Sequence, residues 1–81
     1  MQEFKLTVRT PYKVMIQEQV TSASFLMDQG MVTIYANHAM IMGQTHKGEI
    51  IYKVGEEMQR LDINPGFVKV TGDQVELLIE R

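Results

Sequence analysis

The strongest constraint on this chain is an alternation of apolar and polar residues that keeps stopping and restarting. Phe4, Leu6 and Val8 alternate with Lys5, Thr7 and Arg9, which places three apolar side chains on one face of an extended segment. Val14 and Ile16 alternate with Lys13 and Gln17, and residues 20–27 form a strand with Ala23, Phe25 and Met27 inward. Val32 and Ile34 share a face, and the pattern returns over residues 49–54, 58–63 and 67–70 and at Val75, Leu77 and Ile79. Between these runs lie turn residues: Thr10-Pro11, Asp28-Gln29-Gly30, Gly48, Gly55-Glu56-Glu57, Asn64-Pro65-Gly66 and Thr71-Gly72-Asp73. Proline cannot donate to a strand ladder, and glycine accepts the positive φ of tight turns. Turn signals about every 8–12 residues between short β-rich runs predict an all-β sandwich or flattened barrel. No window sustains helical spacing. Residues 36–48 are the least regular part and read as a loop entering a short strand.

Eighty-one residues leave room for one core, so residues 1–81 form a single domain. Basic residues number 8 and acidic residues 10, a net charge of −2, and a nucleic-acid grip normally needs a concentrated basic face. The chain has no cysteine, which removes disulfides, thiolate metal sites and cysteine nucleophiles. No apolar run reaches the roughly 18–20 residues of a membrane span, so direct membrane insertion is not expected. A cytoplasm-like compartment is expected instead.

Candidate chemistry is sparse. His38 and His46, with Asp28 or Glu49, are the residues from which a metal site would have to be built. The two histidines stand eight positions apart across an irregular segment, and the ordinary reading is one surface and one hydrogen-bonded imidazole. Ser22 and Ser24 sit within a strand rather than on an exposed nucleophile elbow. Glu56 and Glu57, adjacent on a turn, read as solvated charge, and the six scattered glycines cannot assemble a phosphate cradle. No catalytic residue, metal or cofactor is therefore expected. Small β-barrels also serve as adaptors or bind single-stranded nucleic acid on aromatic platforms in a positive groove. Phe4, Phe25 and Phe67 occupy core positions or positions beside the core, while Tyr12, Tyr35 and Tyr52 are dispersed among charges of both signs. That alternative stays open.

Methionine is the more informative residue. Of seven, Met27, Met31, Met40 and Met42 fall within sixteen residues (27–42). Flexible, polarizable thioethers fill irregular cores and also line adaptable contact surfaces. Met31 falls on the face opposite Val32 and Ile34, which points it toward solvent. Together with the irregular backbone around residues 36–43, this favours a protein–protein interface.

Four ordered stretches resemble the N-terminal β-domain of the ε subunit of F-type ATP synthases, over residues 4–80. Gly30-Met31-Val32-Thr33-Ile34-Tyr35-Ala36-Asn37-His38-Ala39 is similar to the family's G-x-[LF]-G-[IV]-x-P-[GN]-H-A run. The opening strand from Phe4 with its Thr10-Pro11 ending, the Lys47-Gly48 turn before Ile50, and Asn64-Pro65-Gly66-Phe67-Val68-Lys69-Val70 followed by Val75-Glu76-Leu77-Leu78 match in the same order. Thr33, Ala36 and Met40 stand where the family has glycine, proline and commonly proline, which marks a divergent member. The resemblance implies a flattened ten-strand β-sandwich and a non-catalytic central-stalk subunit that couples the γ shaft to the membrane c-ring. It places His38, Ala39, Met40, Ile41 and Met42 toward the γ subunit and Gln29, Gly30 and Met31 toward the c-ring. It further implies no nucleic-acid partner and a peripheral position at the cytoplasmic face of the membrane. The family's C-terminal helical hairpin would begin where the sequence stops at Arg81, so none is expected within these residues.

Overall fold

The computed structural model describes residues 2–37 and 39–80, and these form nine strands with no helix. They are β1 Phe4–Arg9, β2 Val14–Val20, β3 Ser22–Met27, β4 Gly30–Ile34, β5 Ile41–Thr45, β6 Gly48–Val54, β7 Glu57–Ile63, β8 Gly66–Thr71 and β9 Gln74–Ile79. The expected breaks fall where the residues put them. Thr10 Oγ1 accepts from the backbone N–H groups of Tyr12 and Lys13, both at 3.1 Å, and so closes the turn after β1. Asn64-Pro65 ends β7, while Gly30 at φ 112° and Gly55 at φ 63° adopt the positive φ that their turns require.

The tenth strand expected from the family resemblance is not formed among the described residues. Between β4 and β5 the chain turns at Asn37, whose φ of 63° is incompatible with a strand ladder, and residues 35–37 and 39–40 carry no ladder.

The strands follow one another as β2-β1-β9-β8-β5-β3-β6-β7, with β4 paired to the other side of β3. This sheet curls into two layers, β2-β1-β9-β8-β5 facing β4-β3-β6-β7, with the inward side chains of both forming the core. The first and last strands lie side by side in the first layer, because β1 and β9 pair in parallel with Leu6 opposite Val75. Phe4, Leu6, Val8, Val68, Val70, Val75 and Leu77 line one side of the core; Ala23, Phe25, Ile34 and Ile50 line the other. All are at most 2% exposed. At about 25 cal/mol per Å2 of apolar surface removed from water, burial of this set is the main stabilising term.

One alternation expectation is corrected. Ile16 is buried but Val14 is 48% exposed. The register steps from Val8 opposite Ile16 to Arg9 opposite Val14, so Met15 is an extra bulged residue that returns Val14 to the outer face beside Arg9. Further along this edge strand, Glu18 takes the core-side register position opposite Leu6 yet stays exposed. A charge in that position blunts an edge that would otherwise invite strand addition.

Candidate functional site

The registers sort the loops into two ends. The turns at residues 10–13, 28–29, 46–47 and 64–65 share one end, tied by backbone bonds from Thr10 N to Lys13 O, His46 N to Leu26 O and Glu80 N to Pro65 O, each 2.9 Å. At the other end Asn37 N donates to Gly72 O at 2.9 Å, and Asn37 Nδ2 donates to Gln2 Oε1 at 2.7 Å. Gln29, Gly30 and Met31 belong to the first end, on the tip where β3 turns into β4. Gln29 is exposed, Gly30 half-buried, and Met31 is 57% exposed beside Leu26 on the outside of the second layer.

The second predicted group divides. His38 lies outside the described residues. Ala39 and Met40 are exposed in the loop at the other end, and Met42 projects from the outside of the first layer at 58% exposure. Ile41, one residue away on β5, turns inward and packs against the core. The two groups thus occupy separate surfaces of one sandwich.

Pairing also assembles a surface that the sequence reading missed. Gln44 on β5 faces Phe67 on β8, Phe67 faces Leu78 on β9, Leu78 faces Arg9 on β1, and Arg9 faces Val14 on β2. One row nearer the other end, Met42, Lys69, Glu76 and Thr7 stand abreast. Phe67 is 45% and Leu78 47% exposed, so Met42, Phe67, Leu78 and Val14 give the outer face of the first layer an apolar centre among charges of both signs. A surface of that composition fits a protein partner. The signal in the sequence was the doubled apolar pairs Phe67-Val68 and Leu77-Leu78, in which one member must face outward.

Groups that could perform chemistry are not convergent. Among the described residues no three of His, Cys, Asp or Glu gather as metal ligands. His46 Nε2 donates to Asp28 Oδ1 at 2.5 Å, while Glu49 binds Arg60 Nη1 at 3.3 Å. Ser24 Oγ shares a hydrogen bond of 2.8 Å with Thr33 Oγ1 across β3–β4. An open cleft of about 610 Å3 lies at the turn end, with Tyr12, Met15, Ile63 and Ile79 in its lining. The most exposed aromatics, Tyr12, Tyr35 and Phe67, lie at one end, beyond β4 and on the first layer's face, and form no common stacking platform. No helix among the described residues is long and apolar enough to cross a membrane.

Comparison with known proteins fits this geometry. The profile of the family "ATP synthase, Delta/Epsilon chain, beta-sandwich domain" matches residues 3–81. An ATP synthase epsilon chain of Solibacter usitatus is 30% identical over 76 residues, 94% of this chain and 57% of that protein. One from Geobacter metallireducens is 29% identical over 79 residues, 98% of this chain and 57% of that protein. The chain therefore spans little more than half the length of these curated relatives. Among solved structures, a chain of the Euglena gracilis mitochondrial ATP synthase, described as OSCP/F1/c-ring, superposes with a TM-score of 0.90 at 20% identity. That match covers 98% of this chain and 51% of the other. A chain of the Tetrahymena thermophila mitochondrial ATP synthase central stalk and c-ring gives 0.80 at 16% identity, covering 99% and 65%. At these identities the two superpositions establish the shared sandwich fold.

Proposed function

The chain belongs to the delta/epsilon β-sandwich family of ATP synthases, and from that membership we propose that it is a non-catalytic central-stalk subunit of a rotary F-type ATP synthase. In this reading it joins the γ shaft to the membrane c-ring and works at the cytoplasmic face of the membrane without inserting into it. The observation that carries the proposal is the separation of two exposed surfaces on one closed core. The outer face bearing Met42, Phe67 and Leu78 meets γ together with Ala39 and Met40 of the preceding loop, and His38 is assigned to the same partner on its place in the sequence alone. The Gln29-Gly30-Met31 tip meets the ring. Ile41, packed inward, contributes by fixing β5 rather than by touching the partner.

The mechanics follow from the fold. A coupling element must transmit torque without deforming, and short loops between paired strands leave few soft joints. A durable contact buries about 1,200–2,000 Å2 in total around a few apolar or aromatic anchors. The extents of 32 × 23 × 19 Å give one sheet face enough area for such a contact while a tip stays free for another.

The experiment is co-purification of this chain with the γ subunit and with the detergent-solubilised c-ring of the same organism. Retention by both at micromolar concentration is expected, and retention by neither overturns the proposal. A single-stranded oligonucleotide tested in parallel separates this reading from the nucleic-acid alternative, which requires salt-dependent binding.

A further inference from the structure

The β3–β4 tip is held to the rest of the molecule in an unusual way. β4 pairs with β3 alone, and the tip-proximal half of β3 meets β5 through a single ladder pair, Met27 opposite Thr45. One further backbone bond, His46 N to Leu26 O at 2.9 Å, lies next to that pair. Met27 packs into the core beside Gly43 of β5, and beyond it the turn is bonded across the joint by His46 Nε2 donating to Asp28 Oδ1 at 2.5 Å, over eighteen residues of sequence. Asp28 is the first residue of the turn, and its side chain is 80% exposed against 46% for His46. Exposed ion pairs add little to global stability, because solvent screens them and holding the side chains costs entropy. A pair placed across a narrow joint acts instead on where the tip points.

We infer that the Asp28–His46 pair is a positioning latch for the tip, and that His46 is a positioning residue for ring attachment although it does not itself belong to the contact. This rests on the proposed function for the identity of the partner, but not for the latch itself. The joint leads from the tip, through Met27 and Thr45, into β5, the strand that presents Met42 to the other surface. Core packing of Phe25 and Met27 holds β3 up to the turn, and a turn free to shift beyond Met27 would yield under load before passing it on. The latch needs a donor at His46 and an acceptor at Asp28, and a neutral amide donor at residue 46 can replace the imidazole.

The test uses Asp28→Ala, His46→Ala, the double variant and His46→Gln, each compared with the unaltered chain for c-ring retention, γ retention and melting temperature. The single alanine variants should lose roughly threefold or more in ring affinity, and the double variant should lose no more than either, as for two residues acting through one contact. His46→Gln should stay near the unaltered chain, and γ retention and melting should not move. Where the unaltered chain binds the ring, equal binding by all variants, or additive losses in the double variant, overturns the inference. Amide hydrogen exchange over residues 26–34 reads the latch without any partner. Faster exchange in Asp28→Ala and His46→Ala but not in His46→Gln supports the latch even if the unaltered chain fails to bind a ring, which would sink only the proposed function. Unchanged exchange in every variant removes the latch.

Discussion

Single residues in this sandwich divide sharply by the face they occupy. Phe25 is fully buried, and Phe25→Ala is expected to destabilise by about 3–5 kcal/mol, measured by denaturant unfolding, because it removes a ring and leaves a cavity. Phe67, nearly half exposed, should behave in the opposite way. Phe67→Asp and Met42→Asp are expected to leave melting almost unchanged while weakening γ association by about tenfold or more, as loss of an interface anchor does. Equal losses of folding and binding would instead make these residues part of the core. Thr45 is a third case. Its hydroxyl is buried and makes no hydrogen bond, so Thr45→Val should raise stability by about 1 kcal/mol, a melting shift of roughly 4–8 °C for a chain of this size.

At the scale of elements, close approach and turn conformation decide which glycines are fixed. A Cβ on Gly66 would lie 2.2 Å from Leu78 O and 2.7 Å from Ile79 Cα, both backbone atoms of the neighbouring strand. Gly66→Ala must therefore push β8 away from β9, at an expected cost of about 1–3 kcal/mol by thermal melting. Gly43 differs, since the atom in its way is the flexible end of Met27, 2.8 Å distant. Alternation located most strands, including the inward set Ala23, Phe25 and Met27, because period-two burial is a local property. It misplaced Val14, since the bulge at Met15 belongs to the pairing of β2 with β1 and leaves no mark within β2 itself. It read residues 36–48 only as a loop entering a short strand, without bounds; that strand is Ile41–Thr45, whose alternation Gly43 and Gln44 obscure.

The whole molecule is closed by its last strand. β9 lies between β1 and β8, so deleting residues 74–80 would strand β1 and β2 away from the remaining sheet. Such a truncation is expected to lose cooperative unfolding altogether, visible as a flat near-ultraviolet circular dichroism melt. The parallel β1–β9 pairing joins residues some seventy positions apart, and topologies dominated by such distant contacts fold in about milliseconds to seconds. Local alternation and turn chemistry were enough to locate most strands and their turns, the lack of cysteine excluded thiol chemistry, and four ordered stretches carried the family resemblance. The outer row of Gln44, Phe67, Leu78, Arg9 and Val14, and the reach of Asp28 to His46, emerge only once the strands are paired and packed. Both depend on the register between strands distant in the chain, and register is set by how the two layers fill one core, whereas alternation within a strand reports only which face each residue takes.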